Sequence, residues 1–254
     1  MSPGFRHRPV PPSPLSRWDA RWKLAAVLLA AAAAAALRHP APSAAALAVG
    51  LGLLRVGRLG GPWVRVRLGA FALAAVPFLL VLPFTLDPAG PGWDVGPVRV
   101  SEQGVLVGAG VVFRGVAIGA LALVLVGTAP VHHTLAAAHR LKVPGLLVLV
   151  TLLAYRYAFL LADELRRLRV ALRVRGFRPR ADRHGYRTAG HVVGAVLVRG
   201  ADRAERVSEA MRARGFDGRF HTLTAFRTTA WDVIGFVPLP TAMVLLLAWD
   251  RLTP

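Results

Sequence analysis

Two heptapeptides in this chain share one pattern. "ALRVRGF" (Ala171–Phe177) and "AMRARGF" (Ala210–Phe216) both read A-x-R-x-R-G-F and lie 39 residues apart. An arginine fork is a chemical tool, because its guanidinium stays charged and its planar donors match a carboxylate or a row of carbonyls. In the last turn of a helix it projects from a stiff support, and the glycine fits the position just past the C-terminus, where φ is positive. One copy is explained by capping and by complementing the helix dipole. Two copies with matched flanks, ending in Arg175-Gly176 and Arg214-Gly215, point to two equivalent contacts with grooves on other proteins.

The remaining reactive groups form no comparable pattern. His132, His133 and His139 lack the i, i+4 spacing of a helical metal site, and no carboxylate stands near them in sequence. Asp163, Glu164, Asp202, Glu205 and Glu209 are interleaved with arginine at helical spacing and read as ion-pair partners. With no P-loop, any ATP must be hydrolysed by another subunit. The absence of cysteine excludes a disulfide scaffold, a thiolate metal site and cysteine catalysis. No metal, cofactor or catalytic residue is therefore expected. The alternative is an integral-membrane enzyme of unknown reaction, built on these acids and histidines.

Helices must carry the two forks. Residues 154–176 place Tyr155, Phe159, Ala162, Leu165, Leu168, Leu172 and Gly176 near i+3/i+4 spacing, with Arg166, Arg167, Arg169 and Arg173 on or beside the other face. Pro179 marks a stop. A second helix is expected from about Thr188 to Arg214, with Asp202, Glu205 and Glu209 pairing with nearby arginines.

The surrounding chain is apolar and basic at once: 55% hydrophobic residues, a mean hydropathy of +0.50 and a formal charge of +19. So many apolar residues exceed what a soluble core of this size can bury, and membrane proteins reconcile the two by separating them along the chain. Residues 1–17, rich in Pro and Arg, are expected to be a disordered leader. Apolar runs follow at Leu24–Leu37, Ala41–Leu54, Leu68–Leu86, Val105–Val126 and Trp231–Trp249. The first two are short for a bilayer and need flanking Lys23, Arg38 and Arg55 to reach outward; their Pro-containing junction reads as a tight helical hairpin. A cleaved signal peptide is disfavoured by the long charged leader and by the spans that follow. Pro238 and Pro240 should kink the last run.

Charge sets the orientation. The leader through Lys23 has five basic residues and the 55–67 loop has four, whereas the turn-rich 87–103 loop has one basic against three acidic. The 163–227 block holds 16 of the 32 basic residues. The N-terminus and that block are therefore expected in the cytoplasm. Parity then requires that 145–162, which contains Arg156, does not span but lies at the cytoplasmic face. The expected fold is all-α: a leader (1–17), N-terminal transmembrane helices (18–128), cytoplasmic helices (129–227), and a last transmembrane helix (228–254), with about five spans in all. A nucleic-acid role is set aside, because the helices lack a reading motif and the aromatics are not interleaved with the basic residues.

Taken in order, these segments resemble the transmembrane coupling subunit, or T component, of energy-coupling factor transporters, in its cobalt/nickel-type branch. "WDARWKL" (Trp18–Leu24) is similar to that family's Asp-Pro-Arg-x-Lys-Leu opening, with Ala20 for Pro. "SEQG" (Ser101–Gly104), Arg114, "TAP" (Thr128–Pro130), "LKVP" (Leu141–Pro144) and "YRY" (Tyr155–Tyr157) with Asp163-Glu164 follow in family order, and Arg199–Phe220 is the most specific match. The family's two Ala-Arg-Gly signatures fall on Val174-Arg175-Gly176 and Ala213-Arg214-Gly215, with Val174 replacing Ala in the first. The resemblance implies that Arg175 and Arg214 dock onto two ATP-binding-cassette ATPase subunits. It also implies that a separate membrane subunit, the S component, captures the substrate, and that this chain sits in the plasma membrane. Asp19, Arg21, Tyr155, Arg156, Glu164 and Glu209 are expected as supporting structural or interface residues.

Overall fold

The computed structural model describes residues 12–86, 91–95, 98–218 and 228–252. In chain order these form α1 (Pro14–Arg17), α2 (Ala20–Ala35), α3 (Pro40–Val56), α4 (Gly61–Thr85), β1 (Gly92–Val95), β2 (Val98–Ser101) and α5 (Glu102–Thr128). Then follow α6 (Val131–Arg140), α7 (Gly145–Val174), α8 (Arg183–Ala213), α9 (Ala230–Phe236) and α10 (Pro238–Leu252). The helices fall into two compact units, one holding α7 and α8, the other holding the rest. The chain is thus an all-α polytopic membrane protein whose described strands form one short antiparallel hairpin.

In the larger unit α5 is the central helix. Its small residues let neighbouring backbones come close: a methyl group at Gly104 would stand 2.5 Å from the Leu82 carbonyl oxygen, and one at Gly119 would stand 2.6 Å from the Phe71 ring. In lipid, where apolar side chains gain little by leaving solvent, such close packing supplies much of the attraction between helices. Ala26, Val27 and Ala30 of α2 meet Ala46 of α3, Ala117 and Leu121 of α5, and Leu239 and Met243 of α10 in one core. The opposite surface of α4, with Leu73, Phe78, Leu80 and Val81 exposed, suits a bilayer.

Two polar clasps fix the height of this bundle. At one end the Asp232 carboxylate accepts from the amides of Asp19 (2.9 Å) and Thr229 (2.8 Å), while Trp18 Nε1 donates to the Asp232 carbonyl (3.0 Å). Arg21 Nη2 donates to Asp19 Oδ2 and to Thr228 Oγ1, both at 2.9 Å. Beside them the buried Lys23 Nζ donates to the last carbonyl of α5, that of Thr128, at 3.3 Å. At the other end Asp250 accepts from the amides of Arg38 (3.0 Å) and His39 (2.8 Å), which open α3. There Arg114 Nη1 donates to the Leu37 carbonyl, 2.9 Å away, at the close of α2. The two ends are separated by α2, whose 16 residues rise about 24 Å. Thr128, where α5 stops, and Thr228, where the chain returns, both stand at the first clasp.

Several details differ from expectation. Residues 12–17 are ordered: Ser13 and Ser16 form a reciprocal cap around α1, and Leu15 is buried with Leu54, Ala120, Leu123 and Val124. One apolar side chain that finds a core pocket is enough to fix so short a turn; residues 1–11 lie outside the described residues. The turn-rich segment after α4 contains the β hairpin, and its residues 87–90, 96 and 97 lie outside the described residues. The last run breaks at Val237, with Pro238 opening α10, as a ring without an N–H dictates. α6 belongs to the larger unit and packs on α2. By length and hydropathy, α4, α5, α7 and Trp231–Leu252 can each cross a membrane, and α3 is apolar but shorter. The non-spanning placement of 145–162 thus gains nothing from length or composition.

Replacing Asp250 by alanine strands two part-buried amides and should cost about 1–2 kcal/mol. A lowered thermal unfolding midpoint in detergent checks this, with Asp250→Asn, which keeps one acceptor oxygen, falling between the two.

Candidate functional site

α7 and α8 are 30 and 31 residues long, rods of about 45 Å each. Heptad-like apolar spacing explains the face they share: Leu149, Leu153, Tyr157 and Leu161 of α7 face Gly200, Ala204, Val207 and Met211 of α8 across a groove of about 360 Å³. The helices touch where Leu161 Cδ2 would lie 3.8 Å from a methyl placed on Gly200. One turn away, Arg199 Nη1 donates to Glu164 Oε1 at 2.8 Å, with the Glu164 side chain almost covered. Arg203 also lines the groove, its buried Nε without a hydrogen-bond partner among the described residues.

Each fork follows from its cap. At the end of α7 the Gly176 amide donates to the Arg173 carbonyl (3.0 Å) and the Phe177 amide to the Leu172 carbonyl (3.0 Å), with Gly176 at φ +77°. At the end of α8 the Gly215 amide donates to the Arg212 carbonyl (2.9 Å) and the Phe216 amide to the Met211 carbonyl (3.0 Å), with Gly215 at φ +82°. The two ends carry the same bond pattern, and the left-handed glycine is what closes it. Arg175 and Arg214 are the cap residues themselves. Both are exposed, and among the described residues neither guanidinium has an internal partner.

The crossing and the forks share one register. Leu161 to Gly200 is the same 39-residue offset as Arg175 to Arg214. Each arginine therefore stands 14 residues, about 21 Å, beyond the contact along its own helix. Two arms of equal reach leave one crossing, each tipped by a cation.

The expected supporting residues fall in four places. Glu164 holds the crossing, through a partner, Arg199, that the sequence pattern did not single out. Asp19 and Arg21 lie in the larger unit's first clasp, where Asp19 caps α2. Tyr155 packs edge-on against the Phe159 ring at 5.0 Å, and Arg156 is exposed. Glu209, Asp202 and Glu205 are exposed and form no ion pair among the described residues; the acid partner within α7 is instead Asp163, 3.0 Å from Arg166. His132 and His133 stack at 4.6 Å, and among the described residues no cluster of three or more metal-ligating side chains forms. Asp232, Asp250 and Lys23 were missed as anchors. Their signal was a charge inside or beside an apolar run, a placement that in membranes marks a buried polar contact.

Fold and site together define a multi-pass membrane protein with a paired-arm helical unit. The family model of the cobalt transport protein CbiQ matches residues 11–224, so the chain belongs to that family. It is 29% identical over 222 residues to the cobalt transport protein CbiQ of Rhodobacter capsulatus, covering 80% of this chain and 90% of that one. It is 30% identical over 122 residues to the nickel permease LarQ of Lactiplantibacillus plantarum, covering 48% of this chain and 44% of the other. An uncharacterized protein of Methanocaldococcus jannaschii is 22% identical over 179 residues, covering 68% and 61%.

Any side chain at Gly176 or Gly215 must adopt the left-handed region, costing about 1 kcal/mol. Gly176→Ala and Gly215→Ala should therefore speed exchange of the Phe177 and Phe216 amides, respectively, by about fivefold. Hydrogen-exchange mass spectrometry of the purified protein checks this.

Proposed function

We propose that this chain is the transmembrane coupling subunit of an energy-coupling factor importer for cobalt or nickel. The observation that carries the reading is the matched pair of capped helix ends, each presenting an arginine with no partner among the described residues, 14 residues from the α7–α8 contact. Two like ends suit two like partners, and the partners with motion to deliver are a pair of ATP-binding-cassette subunits. Arg175 and Arg214 dock there as forked donors, with Gly176 and Gly215 holding each fork in position. When the ATPases close, the arms move, and the contact held by Gly200, Leu161 and the Glu164–Arg199 pair carries the shift to the rest of the complex. A separate substrate-binding membrane subunit receives it. The apolar groove beside Arg203 offers that subunit a helix-sized surface with one free donor.

The ion is assigned through the relatives, one named for cobalt transport and one for nickel. The plasma membrane is the assigned location, with the N-terminus and the α7–α8 unit cytoplasmic. Supporting this, Thr128 and Thr228 meet α2 at the same end of the bundle, so the segment between them leaves and returns on one side. α8 is too charged to cross, so α7 does not cross alone.

The test is co-expression of the tagged chain with cassette ATPases from its own genome. Each docked arginine contributes about 2–5 kcal/mol, so Arg175→Ala/Arg214→Ala should weaken ATPase retention more than about 100-fold without lowering membrane insertion. Uptake of radioactive cobalt or nickel by cells carrying the complex should fall in parallel. Full retention and uptake in the double variant would overturn the coupling role.

A further inference from the structure

We propose that the cleft between α3 and the α9–α10 segment holds an acyl chain of an anionic phospholipid, with Arg58 taking the phosphate. The inference is independent of the coupling role. The cleft measures about 1040 Å³ and is walled by Val49 and Leu53 of α3 and by Pro238 and Leu239 of α10. Trp18 and Trp231 also line it, aromatic groups of the type that sits where hydrocarbon meets headgroups.

Its depth follows from the first clasp. Trp18 donates to Asp232 there, and a methyl at Gly57 would stand 3.2 Å from Thr128 Cγ2, whose backbone carbonyl accepts from Lys23. Arg58 comes immediately after Gly57, so it stands at the end of the helices, at headgroup level. It has φ +50°, a left-handed conformation that carries the chain away from the end of α3. Its guanidinium is exposed and has no partner among the described residues. The one carboxylate lining the cleft, Asp232, has both oxygens occupied by the amides of Asp19 and Thr229, leaving Arg58 uncommitted.

The charge around it selects the headgroup. Residues 55–67 contain no acid, so nothing there offsets the preference of the Arg58 guanidinium for an anionic over a zwitterionic headgroup. Val49, Leu53, Pro238 and Leu239, with residues 12–15 beside them, give the cleft the apolar lining that an acyl chain fits. A chain in the cleft with its phosphate on Arg58 satisfies the apolar walls and the cation together.

Trp231, 77% exposed, reports on the site. The full chain is reconstituted in phosphatidylcholine vesicles doped with brominated phosphatidylglycerol or, in parallel, with brominated phosphatidylcholine. Bromine quenches nearby tryptophan, and subtracting the emission of Trp231→Phe isolates the Trp231 signal. Wild type should show about a fivefold preference for the anionic lipid, the effect of one interfacial arginine. Arg58→Lys should keep the preference and Arg58→Gln should abolish it. Arg58→Gly removes the same charge while suiting the positive φ, so equal loss in both neutral variants reports charge rather than misfolding. Equal quenching by the two lipids in wild type overturns the proposal, as does no Trp231 quenching by either, or a preference that survives in Arg58→Gln and Arg58→Gly.

Discussion

The bundle depends on two carboxylates that enter an apolar helical segment and are saturated by backbone amides. Asp232 and Asp250 stand 18 residues apart, about 27 Å along α9 and α10. An unpaired carboxylate at either place would be costly in a bilayer, so each is held where amides without helical partners are available. Asp232 serves the entry to α2 and its own helix start; Asp250 serves the start of α3. The last helical segment is thereby tied at both ends to the first hairpin. Because residues far apart in sequence must meet, these bonds also fix which ends of α2, α3, α5 and α10 lie together.

The first clasp also brings together two points that are far apart in the chain. Thr128 and Thr228, on either side of residues 129–227, stand together at that end of the larger unit. The smaller unit is built for stiffness in turn: two long helices, one close contact at Gly200, one nearly covered ion pair, and caps that stop each helix cleanly.

Much of the candidate site was legible in the sequence, because its parts are local. A helix C-terminus needs only a few consecutive residues to be specified, and a glycine in the left-handed region is forced by the carbonyls it must satisfy. Hence Arg175-Gly176 and Arg214-Gly215 could be placed on helix ends directly. The ion pairs were less legible. Spacing within α8 offered several partners for Glu205 and Glu209, whereas the pair that forms across helices joins Glu164 to Arg199, and no periodicity within one helix encodes that. The order of residues 12–17 was hidden for a similar reason: it depends on Leu15 finding a pocket made by α3 and α5.

The sequence by itself determined the class of protein, most of the long helices, and the two capped forks. These depend on hydropathy over some twenty residues and on hydrogen bonds within a turn, both of which are properties of contiguous chain. Only the tertiary structure decided which charges anchor the bundle, where α7 meets α8, and that this contact shares the 39-residue offset of the heptapeptides. Those depend on side chains separated by tens to hundreds of residues, and their geometry exists only after the chain has packed.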